Sequence, residues 1–352
     1  MSLTFTSLAD IYDHGFDTVI DVRSPAEHAE DHIPGAVSLP VLDNAERARV
    51  GTLYKQTSPF AARKIGAALV FRNAADHIEH RLAHHDRNWR PLVYCWRGGQ
   101  RSGSFTWLLK EIGWRAEVVE GGYRTYRRLV TQALYDQPLK HRFIQLGGYT
   151  GTAKTALLPM LVARGVQVLD LEELAGHRGS LLGEMPGGQP AQKAFESQLA
   201  AKLHHFDPTR PVIVEAESSK IGVINLPPSL WEGMKAAPWF EIQAPVEERA
   251  RYLDQAYDDV LSDGARLKDR LSPLRLHRGH ALVDQWEAMI DAGERRALCQ
   301  SLVEDHYDPA YDKSMRAITP NVAACFETAH LDDAALETVA DQIAERVQTT
   351  VI

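Results

Sequence analysis

The first 130 residues alternate short apolar runs with polar or glycine-rich turns. Residues 91–94 are all apolar or aromatic, which is typical of a short buried strand, and the segment 17–23 predicts a strand that ends in a charged turn. The stretch 104–112 has the apolar spacing of a helix, and Gly113 follows it where a helix commonly stops. This part of the chain is therefore predicted to form a strand, a glycine-rich loop and a helix, in that order.

The second half of the chain shows the same alternation. Four short apolar runs predict strands, at residues 143–146, 166–170, 211–215 and 239–242. Between them, Phe195, Leu199 and Leu203 have helical spacing, and another helix is predicted after Pro245. Alternating strands and helices imply a parallel sheet with right-handed crossovers, and from about residue 246 the pattern becomes helical and charged.

The length of 352 residues accommodates two domains, each with its own core. The predicted fold class is α/β, with one domain over residues 1–130 and a linking helix over 131–140. A parallel-sheet domain with a helical C-terminal part is predicted over 141–352.

Composition narrows the class of protein. An apolar fraction of 44% and a charged fraction of 24% are those of an ordinary globular protein, and no apolar run is long enough to cross a bilayer. Residues 1–5 lack the basic flank and apolar core of a signal peptide. Three cysteines without a C-x-x-C pair predict neither a disulfide framework nor a metal site, and we expect a cytoplasmic protein without membrane contact. The net charge of −8 argues against indiscriminate nucleic-acid binding but is compatible with a local basic face.

Cys95 is the most informative single residue, because it lies where the strand at 91–94 meets the glycine-rich loop. A thiol in such a turn faces several backbone N–H groups and the positive end of the following helix, and both favour the thiolate. The loop therefore suits a sulfur nucleophile that handles an anion; a buried structural cysteine is the alternative. The predicted anion cradle of this loop consists of Arg97, Gly98, Gly99, Gln100 and Arg101.

Residues 148–155 come close to the phosphate-binding pattern G-x-x-x-x-G-K-[ST]. A strand pattern precedes them and a helix pattern follows, the context in which such loops hold phosphate on backbone N–H groups. Ala153 stands where the pattern has its second glycine and is less free in a loop; a chance glycine-rich turn is the alternative. The predicted phosphate-binding residues are Gly148, Gly151, Lys154 and Thr155, and Thr155 is also placed to hold a magnesium ion.

Glu215 ends the apolar run at 211–215. A carboxylate at this point of a phosphate-binding domain commonly serves magnesium or a water molecule. Glu215 is therefore a candidate site residue, with a plain strand-end role as the alternative.

Basic residues concentrate in two segments, although the chain is acidic overall. Local clusters of cations are typical of polyanion contacts. For the second segment the alternative is a solvated helix face with internal ion pairs to Asp254, Asp258, Asp259 and Asp269. The predicted polyanion-binding residues are Arg124, Arg127, Arg128, Arg266, Lys268, Arg270, Arg275 and Arg278.

The N-terminal part resembles a rhodanese domain. Its marks are the segments 21–23 (Asp-Val-Arg), 27–28 (Glu-His) and 32–36 (His-Ile-Pro-Gly-Ala), followed by the Cys95 loop and the double glycine within 118–123. Rhodaneses carry sulfur as a persulfide on the loop cysteine. The resemblance therefore implies a rhodanese-like fold for the N-terminal domain and a carrier role for Cys95.

A rhodanese-type loop followed by a phosphate-binding loop resembles the bacterial tRNA 2-selenouridine synthase family over essentially the whole chain. The resemblance implies a tRNA-modifying transferase that replaces the sulfur of wobble 2-thiouridine with selenium from selenophosphate. It also implies an S-geranylated intermediate made from geranyl diphosphate, no tightly bound cofactor, and tRNA as the polyanion that meets the basic segments.

This resemblance implies roles for individual residues. Cys95 takes selenium from selenophosphate or assists its delivery to the uridine C2, while Arg97 and Arg101 hold the oxygens of selenophosphate. The phosphate loop binds a diphosphate or a tRNA phosphate. Two rivals remain. One is a rhodanese-type sulfurtransferase fused to an ATP-binding regulatory domain. The other is a non-enzymatic phosphosignal or tRNA-binding module with a degenerate rhodanese fold, in which replacement of Cys95 leaves function intact.

Overall fold

The computed structural model describes residues 2–350, which form two compact units. Each unit is assembled from two separate stretches of chain. The first comprises residues 2–137 and 190–205, and the second comprises residues 138–189 and 206–350.

The elements are numbered along the chain. The strands are β1 (Ser2–Leu3), β2 (Thr18–Asp21), β3 (Val37–Ser38), β4 (Pro91–Tyr94), β5 (Glu117–Val119), β6 (Phe143–Gly148), β7 (Gln167–Leu169), β8 (Val212–Glu215), β9 (Lys220–Ile221), β10 (Ile224–Asn225), β11 (Trp239–Gln243) and β12 (Val322–Glu327). The helices are α1 (Leu8–Tyr12), α2 (Pro25–Glu30), α3 (Asn44–Gln56), α4 (Pro59–His77), α5 (Gln100–Ile112), α6 (Tyr123–Thr131), α7 (Lys154–Ala163), α8 (Leu171–Ala175), α9 (Gln192–His205), α10 (Pro228–Ala236), α11 (Val246–Ala256), α12 (Asp258–Leu261), α13 (Gly264–Leu271), α14 (Arg275–Arg278), α15 (His280–Ala292), α16 (Arg295–Leu302), α17 (Asp308–Ile318) and α18 (Asp333–Thr349). Shorter π-helical turns cover Ile78–Leu82, Gln132–Asp136 and Val303–Tyr307, and a 3₁₀ turn covers Ser272–Leu274.

Among the described residues, the first unit holds a five-stranded parallel sheet in the order β1-β5-β4-β2-β3. All four residues of the central strand β4 are buried, which explains its uniformly apolar sequence. The helices add Leu69, Phe105 and Leu109 to a core that includes Ile20 and Val93. Because β4 lies in the middle of the sheet, the loop that follows it emerges at the carboxyl edge, where α/β sheets usually bind ligands.

Helix α5 follows that loop directly. Gly99 precedes its first residue, and Gly113 ends it in the left-handed conformation with φ of 108°. Buried residues recur at helical spacing along one face, at Ser102, Phe105, Thr106 and Leu109. The predicted helix and its glycine stop are confirmed, and the helix starts four residues earlier than the stretch 104–112.

Helix α9 comes from the middle of the chain and belongs to the first unit. Its apolar face is buried, with Phe195 and Leu199 fully inaccessible. The buried Glu196 pairs with Arg127 of α6 and accepts a hydrogen bond from the Tyr135 hydroxyl at 2.6 Å. The predicted helix is therefore present, and it packs against the end of the N-terminal stretch.

Among the described residues of the second unit, five parallel strands follow the order β12-β11-β6-β8-β7. The central strand β6 is entirely buried, and its residues Ile144 and Leu146 join Ile213, Phe240 and Ile242 in the core. Strands β9 and β10 form a separate antiparallel ribbon. The phosphate-loop sequence begins at the carboxyl end of β6.

The C-terminal part of the second unit is mainly helical. Trp286 of α15 is fully buried in a core cluster to which α13 contributes Leu267 and Leu271 and α16 contributes Leu298 and Leu302. The α/β fold class with a helical C-terminal part is confirmed. The pattern did not predict the edge strand β12, which pairs in parallel with β11, or the long helix α18.

The segment that leads from the first stretch of the first unit into the first stretch of the second unit is helical only in its first half. The predicted linking helix over 131–140 begins at the end of α6 and continues as the π-helical turn Gln132–Asp136. Residues 137–140 are not helical. Among the helices that the structure describes, none is both long and apolar enough to cross a lipid bilayer.

Candidate functional site

The Cys95 thiol lies at the carboxyl end of β4, where the chain leaves the first sheet. The residue is 3% exposed, and its Sγ accepts a hydrogen bond from the Ser102 hydroxyl at 3.1 Å. Because α5 begins at Gln100, the positive end of this helix and its unpaired N–H groups lie beside the loop. The predicted order of strand, turn and helix is confirmed, whereas Ser102 was not foreseen as the partner of the thiol.

The double glycine after β5 fixes the loop from the other side. The Cys95 carbonyl accepts the N–H of Tyr123 at 2.8 Å, and the Trp96 carbonyl accepts the N–H of Arg124 at 3.1 Å. Gly122 has a φ of 57°, and a Cβ added there would overlap the Cys95 carbonyl oxygen. Glycine is therefore required for this close approach of two backbone segments.

The two arginines of the predicted cradle differ in their partners. Arg101 forms a bidentate pair with Glu27, at 2.7 and 3.2 Å, and Glu27 in turn accepts the N–H of Ser24 at 3.0 Å. Arg97 is exposed, and no ion pair is found for it among the described residues. Arg97 is thus the arginine that is available to a bound anion, while Arg101 ties α5 to α2.

The remaining cradle positions belong to the turn itself. Gly98 has a φ of 64°, and a Cβ there would lie 2.7 Å from the Val119 carbonyl oxygen. Gly99 and Gln100 are exposed, so the turn is open to solvent at these two positions.

A buried polar network connects the rhodanese-like segment with this loop. The Arg23 guanidinium donates to both carboxylate oxygens of Asp21 and to the Asp31 carbonyl. His28 Nδ1 lies 3.0 Å from Asp21 Oδ2, and the Tyr123 hydroxyl donates to Asp31 at 2.7 Å. Burial acts to raise the pKa of Asp21, but the bonds from His28 and Arg23 outweigh it and hold this pKa below its ordinary value. The network therefore favours a charged pair in the interior and fixes Tyr123, whose N–H holds the loop.

The phosphate loop runs from the end of β6 into α7. Ala153 adopts a left-handed φ of 59°, a conformation that glycine adopts far more readily. The Lys154 ammonium donates to the carbonyls of Gly148 at 2.7 Å and Tyr149 at 3.2 Å. Burial lowers the pKa of Lys154, and the nearby carboxylates, Glu172 first, oppose this effect. The loop therefore wraps around its lysine even though alanine replaces the glycine.

Carboxylates gather beside Thr155. Its Oγ1 lies 3.2 Å from both Glu172 Oε2 and Glu215 Oε1. Burial, followed by the neighbouring charges of Glu172, Asp170 and Glu217, raises the pKa of Glu215 well above its ordinary value. Burial together with Glu217 raises the pKa of Glu172 to about 7. The structure thus joins the predicted residues Thr155 and Glu215 and adds two glutamates that the sequence pattern did not single out.

These oxygen donors are of the type that Mg²⁺ takes when phosphate oxygens complete its coordination shell. Across the described part of the chain, no cluster of three or more His, Cys, Asp or Glu side chains has a metal-binding arrangement of its own.

Helix α17 packs against the phosphate loop. The Gly148 N–H donates to the Tyr311 hydroxyl at 3.1 Å, and the Tyr149 hydroxyl donates to Asp312 at 2.7 Å. The Arg249 guanidinium of α11 lies 5.0 Å from the centroid of the Tyr149 ring. Local sequence gives no signal for these contacts, because α17 follows the loop only after about 160 residues.

Comparison with known proteins gives matches to both halves of the chain. A rhodanese-like domain model covers residues 4–129, and a model described as the AAA domain of tRNA 2-selenouridine synthase covers residues 141–268. The tRNA 2-selenouridine synthase of Alcanivorax borkumensis is 33% identical over 84% of this chain and 88% of its own length. That of Cupriavidus pinatubonensis is 34% identical over 85% of this chain and 89% of its own length. The chain belongs to the tRNA 2-selenouridine synthase family.

In this member of the tRNA 2-selenouridine synthase family, the first basic segment carries accessible cations. Arg124 and Arg128 of α6 are exposed, and the described residues provide no ion pair for either. Arg127 is half-buried and pairs with Glu196 of α9. Two of the three predicted cations in this segment are therefore free to meet a polyanion.

The cations of the second basic segment have partners within the second unit. Three of the aspartates expected as their partners pair with other arginines: Asp254 and Asp258 pair with Arg295, and Asp259 pairs with Arg178. The observed partners are Glu184 for Arg266 and Arg270, Asp291 for Lys268, Asp284 and Glu287 for Arg275, and His306 for Arg278. Their role in polyanion binding stays a prediction.

Proposed function

We propose that this chain replaces the sulfur of wobble 2-thiouridine in tRNA with selenium from selenophosphate. Membership of the tRNA 2-selenouridine synthase family supports the reaction. The Cys95 loop is the observation that carries this proposal. It combines a thiol, a helix amino terminus and Arg97, which has no ion pair among the described residues. A cysteine sulfur is a strong nucleophile that can displace selenide from selenophosphate, and backbone N–H groups with a guanidinium suit the phosphate oxygens of that substrate.

Mass spectrometry of tRNA nucleosides tests this proposal. Cells that contain the protein should hold 2-selenouridine at the wobble position, and cells that lack its gene should hold 2-thiouridine. Equal selenouridine in both would contradict the proposal. A plain sulfurtransferase with a regulatory nucleotide site would instead turn over ATP without tRNA.

We further propose that the phosphate loop binds geranyl diphosphate and activates the sulfur for departure. The thiouridine sulfur attacks C1 of the geranyl group, the C–O bond to diphosphate breaks, and the N3 proton is released. The Cys95 sulfur then attacks the phosphorus of selenophosphate and releases selenide. Selenide adds at C2 while geranyl thiol leaves, and water hydrolyses the phosphorylated cysteine to phosphate and the free thiol. The Lys154 ammonium and the loop N–H groups would hold the diphosphate, with a Mg²⁺ ion at Thr155 and Glu215.

Lys154→Ala is expected to weaken binding of geranyl diphosphate or of tRNA. The change removes a cation from the interior of the loop, and hydrogen bonds to charged groups contribute roughly 1.5–3 kcal/mol, or about ten- to a hundredfold in affinity. Isothermal titration with each ligand measures the loss. Lys235→Ala removes an exposed surface cation of the same unit and should change neither affinity. Unchanged affinity of the Lys154 variant for both ligands would show that the loop binds neither.

The double variant Arg124→Ala/Arg128→Ala is expected to weaken tRNA binding and flatten its salt dependence. Each cation that contacts a phosphate of a single-stranded loop contributes about 0.7 to the slope of log affinity against log salt concentration. A binding titration over a salt series measures that slope.

The matched comparison for this double variant is the triple variant Arg266→Ala/Lys268→Ala/Arg270→Ala. Since those side chains pair with Glu184 and Asp291, we expect a smaller loss of slope. A larger loss of slope in the triple variant than in the double variant would show that the tRNA-binding face lies on the second unit.

A further inference from the structure

A cavity of about 900 Å³ opens beside the Cys95 loop, and all of its walls belong to the first unit. We call it the Trp96 cavity. The lining residues that matter here are Trp96, Arg97, Tyr123, Arg124, Arg128 and Lys193. Pockets of roughly 300–1,000 Å³ hold organic ligands of moderate size, so this one has room for a nucleotide and its neighbouring phosphates.

The charge of the Trp96 cavity selects an anionic ligand. Arg97, Arg124 and Arg128 are exposed and have no ion pair among the described residues. Lys193 pairs with Glu30 at 2.6 Å, and Asp136 is the carboxylate among the lining residues. Three unpaired guanidinium groups therefore face one carboxylate, which is the charge balance of a site for phosphates.

Trp96 gives this basic cavity an aromatic wall. Its ring lies 5.2 Å from that of Tyr123, centroid to centroid, at an angle of 31°, and the Arg23 guanidinium lies 4.1 Å from the Tyr123 ring. The Trp96 carbonyl also accepts the N–H of Arg124. The indole is thus fixed by packing and by its backbone, one residue after the thiol. Proteins commonly bind the unstacked bases of single-stranded RNA by stacking them on fixed aromatic rings next to arginines.

We propose that the Trp96 cavity receives the thiolated nucleotide of the substrate RNA loop. Its base stacks on the Trp96 indole, and the flanking phosphates bind Arg97, Arg124 and Arg128. This assignment rests on the proposed function, because that function supplies the RNA ligand. It also gives α9 a role, since this helix brings Lys193 to the cavity from a distant part of the chain.

The test uses the full-length protein, Trp96→Leu, and two anticodon stem-loop RNAs. One RNA carries 2-thiouridine at the wobble position, and the other is abasic there. Fluorescence anisotropy should show that the variant and the abasic RNA each lower affinity roughly ten- to a hundredfold, the range for loss of one base–aromatic stack. Combined, they should lower affinity no further, because both remove the same contact. Losses that multiply, or an unchanged affinity of the variant, would overturn the assignment.

Two further variants separate stacking from a folding defect. Trp96→Phe keeps an aromatic ring and should recover most of the affinity for the thiouridine RNA. If the Phe variant bound this RNA as weakly as the Leu variant, stacking on residue 96 would be contradicted. Trp107→Leu alters a tryptophan on α5 that is 54% exposed and does not line the cavity, so its affinity should equal that of the wild type. If the wild-type protein makes selenouridine but binds the abasic RNA as tightly as the thiouridine RNA, the assignment of the nucleotide to the Trp96 cavity is wrong and the proposed function stands. If no selenouridine is made, the proposed function itself is wrong.

Discussion

Cys95→Ser is expected to abolish selenouridine formation and to leave the fold of the first unit intact. A serine hydroxyl stays protonated near neutral pH and is a far poorer nucleophile toward selenophosphate than a cysteine sulfur, so the rate should fall on the order of 10³-fold or more. Serine retains an oxygen that can accept the hydrogen bond from Ser102, and it is no larger than cysteine. Mass spectrometry of tRNA nucleosides after incubation with the purified variant, selenophosphate and geranyl diphosphate measures the loss.

Cys325→Ser supplies the matched control. Cys325 is exposed on β12, and partial burial with the charges of Glu241 and Glu327 raises the pKa of its thiol. Its replacement should therefore leave the rate unchanged. Because geranyl transfer is assigned to the phosphate loop, S-geranyl-2-thiouridine should accumulate in the Cys95 variant. If the Cys95 variant made selenouridine at the wild-type rate, the role of Cys95 would be contradicted. That result would favour either a non-enzymatic role for the protein or a different active centre.

The sequence could predict both loops because each is a local feature. A buried strand, a glycine-rich turn and a helix start are written in consecutive residues, as they are around Cys95 and around Lys154. The strand β4 and the helix stop at Gly113 are confirmed because strong local signals and the tertiary structure agree there. The substitution at Ala153 was the one departure from pattern, and its left-handed backbone shows that the loop keeps its turn despite it.

Contacts between distant segments explain what the sequence could not predict. Arg101 was assigned to the anion, but Glu27, 74 residues earlier, occupies its guanidinium. Tyr311 lies 163 residues from the loop amide that it contacts. Partners at such separations follow from the packing of whole elements, which periodicity does not encode. The same reason hides the insertion of α9 into the first unit, since its apolar spacing predicts a helix but not its location.

The strand β12 was missed for a different reason. Its run of six residues contains two alanines, a cysteine and a terminal glutamate, and it follows a long helical region. A short run of this kind does not distinguish a strand from a helix by periodicity. Pairing with β11 decides its conformation, and α18 then covers the apolar residue Phe326 within the core of the second unit.

Gly122→Ala is expected to be among the most damaging single substitutions outside the reacting groups. Gly122 has a φ of 57°, which costs an ordinary residue about 1–2 kcal/mol. Its new Cβ would also overlap the Cys95 carbonyl oxygen and lie 2.6 Å from the Gly98 nitrogen. Displacement of a close-packed neighbour adds about 1–3 kcal/mol. Both atoms belong to the backbone, so the cysteine loop itself must shift, and we expect selenouridine formation to fail together with a loss of stability.

Gly103→Ala is the control for this substitution. Gly103 lies in α5, has ordinary helical geometry, and nothing within 4 Å would meet an added Cβ. Alanine there should stabilise the helix by roughly 0.5–1 kcal/mol, because glycine loses more backbone entropy on folding. Thermal unfolding and hydrogen exchange of residues 95–101 measure both variants. The Gly122 variant should unfold at a lower temperature and exchange faster in the loop. If its loop stayed as protected as in the wild type, the double glycine would not be what holds Cys95 in place, and the network through Tyr123 would have to carry that role alone.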